Sequence, residues 1–73
     1  MKLKIGDYYT SKTNPDRTLV IKDITKYQIY SYLLDKGIFA KAYLYDTKEF
    51  IDLVNKKARL DNGKKVKERL GVK

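Results

Sequence analysis

The sequence predicts a mainly β domain that ends in a helix, and three observations predict it. Two strand-like runs, 26–34 and 38–45, flank the turn Asp35-Lys36-Gly37. Seven tyrosines in 73 residues favour strands, where a ring packs on a pleated surface and keeps its hydroxyl wet. After Tyr45 the apolar spacing lengthens to that of a helix, through Phe50, Ile51, Val54 and Ala58. A chain this short makes one domain, near the size at which a single core barely outweighs chain entropy.

The elements follow in order. Lys2 to Ile5 alternates charged and aliphatic residues, which points Leu3 and Ile5 toward a core. Gly6-Asp7 allows a bend before Tyr8-Tyr9-Thr10. Asn14-Pro15-Asp16 marks a turn within 11–17, because proline presets the second turn position. A second strand over Thr18–Ile24 follows. In the hairpin, a three-residue loop closed by a glycine bulge sets Leu34 opposite Ile38, Tyr32 opposite Ala40 and Tyr30 opposite Ala42. Large rings then meet small alanines, which assigns Tyr30 and Tyr32 to the core. The other face pairs Leu33 with Phe39, Ser31 with Lys41, Ile29 with Tyr43, and Tyr27 with Tyr45.

Asp46-Thr47-Lys48-Glu49 is a variant capping box that opens the helix, and Asn62-Gly63 is its expected stop. Lys64 to Lys73 has too few apolar residues to bury and is expected as a frayed helix or a loose tail. The chain thus divides into a barrel-plus-helix domain, 1–62, and a basic C-terminal tail, 63–73. This order of elements resembles the SH3-like class: a small, partly open barrel with a helix closing its open end. The alternative is a three-stranded antiparallel sheet with one packed helix.

Composition removes most functional classes. Without Cys there is no disulfide scaffold, zinc knuckle or thiol nucleophile, and without His the usual general base and commonest metal ligand are missing. The carboxylates are scattered beside lysines or in turns, and the four glycines are isolated, so no phosphate loop exists. The expectation is a non-enzymatic protein with no cofactor and no metal. No run approaches the roughly 18 apolar residues of a membrane span. The amino terminus lacks an apolar secretory core, so a soluble cytoplasmic protein is expected.

Charge carries the functional expectation. The net charge is +8, and residues 55–73 alone hold eight basic side chains against two acidic ones. Lys56, Lys57, Arg59, Lys64, Lys65, Lys67 and Arg69 can neutralise phosphates and release counterions, although a charge run can also be a merely solvated end. Lysines outnumber arginines fourteen to three, which favours point-charge contact with a backbone over the forked reading of bases. Lys41, Tyr43 and Tyr45, with Tyr27 and Phe39, fall on one sheet face, where aromatic rings between lysines suit base stacking. The same face can instead lie under the helix, with Phe39 and Tyr43 against Phe50 or Val54. Lys12 and Arg17, with Ser11, Thr13 and Asn14, offer phosphate contacts from the first loop, but all are ordinary turn formers and the loop is read first as a turn.

The leading expectation is a small nucleic-acid-binding module of low sequence specificity, for DNA or RNA, single- or double-stranded. The alternative is a small regulator or inhibitor gripping an acidic protein surface, with Leu3 to Ile5 as an edge for strand addition. The Lys-, Tyr- and Ile-rich composition associates with AT-rich genomes, including phage and mobile elements. Anionic lipid ranks last, because the tail has no apolar face to insert. Monomer and homodimer are both open.

Overall fold

A computed structural model describes residues 2–70. The elements are β1 (Tyr8–Ser11), β2 (Arg17–Ile24), β3 (Gln28–Asp35), β4 (Ile38–Asp46), α1 (Thr47–Lys57), β5 (Ala58–Asp61) and α2 (Gly63–Leu70). The strands form one five-stranded antiparallel sheet in the order β4-β3-β2-β1-β5. The fold is mainly β with a C-terminal helix, as the sequence predicts, and the sheet stays open, with β4 and β5 at its edges. No helix among the described residues is long and apolar enough to cross a membrane.

β1 to β4 form a meander, after which α1 must cross the sheet to bring β5 against β1. Its apolar stripe lands on one face: Phe50 and Val54, with Ala58 at the start of β5, pack with Tyr9, Ile21 and Ile29, and Leu3, Leu19, Ile24 and Tyr45 close around them. On the opposite face α2 covers the β1–β5 corner. There Val66, Thr10 and Thr18 are fully buried. A Cβ at Gly63 would sit 2.8 Å from the Tyr8 ring, so a glycine lets α2 start directly against that tyrosine.

Several local expectations change. Lys2 to Ile5 is not a strand: Lys4 to Asp7 closes a turn, Leu3 reaches the core and Ile5 stays exposed. It therefore offers no edge for strand addition. The β3–β4 loop is tighter than expected. Asp35 pairs with Ile38, leaving Lys36-Gly37 as a two-residue turn with φ values of 54° and 81°. Positive φ at both central residues matches the right-handed twist of the strands. A bulge then places Leu33 opposite Lys41 and Leu34 opposite Phe39, with Ala40 as the extra residue.

That bulge moves Phe39 off the Tyr43 face. It joins Tyr32, whose ring lies 5.1 Å away edge-on, and Tyr30 follows at 6.0 Å from Tyr32. Tyr32 opposes Ala42 and Tyr30 opposes Leu44. This aromatic ladder is outside the core: Tyr30 and Phe39 are exposed, and Lys22 lies over Tyr32. Tyr27 also leaves the expected face. It precedes β3, is exposed, and carries Lys26 over its ring.

α1 starts where expected, but Asp46 makes no side-chain capping bond. It ends at Lys57, well short of Asn62, because Ala58 turns extended while its N–H still donates to the Val54 carbonyl. The Lys12 N–H also donates to the Lys57 carbonyl, and β5 pairs with β1 instead of continuing the helix. Asn62 then caps a helix rather than stopping one: its Oδ1 accepts from the Lys64 and Lys65 amides at 3.0 and 3.2 Å. The basic stretch is helical to Leu70, and residues 71–73 of the expected tail lie outside the described residues.

Lys36 holds a left-handed conformation that costs a side chain with a Cβ and suits asparagine better. Lys36→Asn is therefore expected to raise stability by about 0.5–1 kcal/mol, read as a higher urea midpoint at unchanged slope.

Candidate functional site

A groove of about 240 Å³ opens between the sheet and the C-terminal half of α1. Its floor is Tyr9, Leu19 and Leu33, one wall is Tyr43 and Tyr45, and Leu53, Lys57 and Ala58 form the other. Ser11, Thr13 and Arg17 close one end from the β1–β2 loop. No carboxylate lines it among the described residues.

The loop is held as the turn signals require. Asn14 accepts from the Arg17 amide through its carbonyl and from the Asp16 amide through its side chain. Ser11 Oγ accepts from the Asn14 amide and lies 3.2 Å from the Thr13 hydroxyl. The backbone bond from Lys12 to Lys57 fixes the loop to the end of α1. The sequence offers Ser11, Thr13 and Arg17 as turn residues first and phosphate contacts second, and carries no signal that α1 ends beside them.

The aromatic wall is built from successive ring contacts. Tyr43 and Tyr45 stack at 5.6 Å with 24° between ring planes, Tyr45 rests on Phe50 at 5.6 Å, and Phe50 meets Tyr9 edge-on at 5.7 Å. Tyr43 also carries the Lys41 ammonium, 5.2 Å from the ring centre. At an exposed site such a contact is worth only about 0.5–1 kcal/mol, so Lys41 is easily displaced. Burial first, then the neighbouring Tyr43 and Glu49, push the Tyr45 hydroxyl above its ordinary value. Tyr45 thus stays neutral and adds no negative charge to the wall.

The structure divides the expected binding residues between two faces. Tyr43, Tyr45 and Lys57 come together at the groove, Lys41 lies over the Tyr43 ring, and Lys56 is exposed on the last turn of α1 beside Lys57. Arg59 is opposite Thr10 and so faces the α2 side, where Lys64, Lys65 and Lys67 are exposed.

Arg69 is engaged by the protein itself. It donates to Asp61 Oδ2 at 3.3 Å and to the Pro15 carbonyl at 3.5 Å. Asp61 also accepts from Thr10 Oγ1 at 2.7 Å and from the Asn62 amide at 2.8 Å. Burial would raise its carboxyl pKa, but these bonds and the Arg69 charge outweigh it and hold the value below the usual carboxylate range. Arg69 is therefore a strut between α2, β5 and the first loop.

The described residues contain no group of three or more His, Cys, Asp or Glu able to hold a metal ion. No family model, no curated protein and no solved structure matches the chain.

Proposed function

We propose that this protein is a non-enzymatic nucleic-acid-binding module of low sequence specificity. One observation carries the reading. Of sixteen described cationic side chains, Arg17 and Arg69 make the ion pairs found among the described residues. The Arg17–Asp35 pair is 3.9 Å long and half-exposed on both sides, so it contributes little. Lys41, Lys56, Lys57, Arg59, Lys64, Lys65 and Lys67 make no ion pair within the described residues, and their charge faces outward. Cations left unpaired in this way neutralise phosphates and release condensed counterions. A lysine ammonium contacts phosphate as a point charge, which suits backbone binding over base discrimination.

The test is affinity against salt, read by titrating labelled oligonucleotides. Between about 50 and 200 mM salt the affinity is expected to fall steeply; an unchanged affinity would sink the proposal. Replacing Lys64, Lys65 and Lys67 together by Gln removes exposed charge without touching Val66. If all three meet phosphate, the slope of log K against log salt should shrink by about 2–3 and binding should weaken about tenfold or more.

A second reading, a protein partner that adds a strand, is favoured by the β4 edge. This nine-residue strand has exposed Ile38, Phe39 and Leu44 and only Lys41 and Asp46 as charges. Interactions that survive nuclease treatment would favour it, and their complete loss would reject it.

A further inference from the structure

We infer that the ligand is single-stranded nucleic acid, one base of which enters the groove between the sheet and α1 and lies against the Tyr43 ring. The inference rests on the nucleic-acid reading above and adds which form binds and where.

The size of the groove is the first argument. About 240 Å³ is below the range of drug-sized pockets and suits one flat heterocycle. A base within a duplex is paired at its edge and stacked on both sides, so only an unpaired one can slide into such a slot. The aromatic wall is the second. Tyr43 is backed by Tyr45, Phe50 and Tyr9 in a continuous series of ring contacts, so its orientation is fixed before any ligand arrives. The Tyr43 ring also carries the ammonium of the flexible Lys41 side chain, 5.2 Å from its centre. A stacking base moves that ammonium aside and leaves it within reach of the adjoining phosphate.

Charge complementarity is the third. Lys57 and Arg17 line the groove on the helix and loop sides, Lys41 lies over the Tyr43 ring, and the lining itself holds no carboxylate among the described residues, Arg17 being only loosely paired with Asp35 at 3.9 Å. A sugar–phosphate chain entering or leaving the slot meets Lys57 on the helix side and Arg17 on the loop side. The Ser11 and Thr13 hydroxyls bond to each other and retain capacity for a base edge or a sugar.

The test uses the full chain, with oligothymidylate as single strand and a mixed-sequence duplex of equal length, titrated at one salt concentration. The single strand is expected to bind about tenfold tighter or better. Tyr43→Leu keeps an apolar side chain but loses the ring face. It is expected to weaken single-strand binding at least about fivefold with an unchanged salt slope. Lys57→Gln should instead lower that slope by about 0.7. Equal or tighter duplex binding overturns the inference, and so does a Tyr43→Leu protein that binds oligothymidylate normally. In either case salt-dependent binding would remain, and the broader reading with it. Failure to bind both ligands sinks the broader reading itself. Amide shifts in the unsubstituted chain give a check that needs no variant. Oligothymidylate should move Ser11, Thr13 and Tyr43 most, and shifts confined to α2 would overturn the inference.

Discussion

Phe50→Ala is expected to remove about 3–5 kcal/mol of stability, enough to leave a domain of this size largely unfolded at 37 °C. Phe50 is 0% exposed and joins Tyr9 to Tyr45, so its removal leaves a cavity and takes away two aromatic contacts together. Neighbouring helix and strands cannot collapse into the gap without breaking the pairing of β1 with β5. Phe50→Leu retains most of the volume and should cost only about 1–1.5 kcal/mol. Urea denaturation followed by circular dichroism measures both. A loss below 1 kcal/mol for the alanine variant would mean that α1 is not anchored through this ring.

Asp61→Asn is expected to cost about 2–3 kcal/mol near neutral pH, with an effect that fades on acidification. The carboxylate accepts from Thr10, from the Asn62 amide and from Arg69, and its side chain is 11% exposed. Its folded pKa lies below the ordinary value of 3.8. A depressed carboxylate contributes stability that is complete above the unfolded pKa and is lost as pH falls through the folded one. The gap between the two proteins should therefore be widest at neutral pH and close below about pH 4. A constant gap down to pH 2 would show that shape, not charge, matters at this position.

Much of this architecture is legible in the chain because local signals and tertiary packing agree. The β2, β3 and β4 runs, the Asn14-Pro15 turn and the start of α1 all carry their own turn or period signals. The errors fall where long-range pairing overrides a local pattern. Ala58 sits four residues after Val54 and continues the helical stripe, yet it is the first residue of β5, because β1 offers an edge that the helix cannot use. Asn62-Gly63 reads equally as a stop or as a cap, and only the strand before it decides. The β3–β4 register hinges on one bulge at Ala40, which no pairing rule locates and which sends Phe39 to the other face. For the candidate site, the tyrosines and the one lysine of β4 could be singled out. Their meeting with Arg17 and Lys57 could not, since it depends on the point at which α1 ends.

The pairing of Thr10 with Arg59 has a consequence for how the protein is made. During synthesis the meander can assemble as soon as β4 leaves the ribosome, but Ile21 and Ile29 stay uncovered until α1 has emerged behind it. β1 gains its second neighbour only when β5 arrives, after nearly fifty intervening residues have been translated. With the meander already formed, the segment still to be ordered before β5 can pair is α1, 11 residues, which leaves about 2 kcal/mol of closure entropy for the last step. The slow event in folding should thus be the docking of the final strand, and a chaperone would meet a half-clothed sheet in the interval.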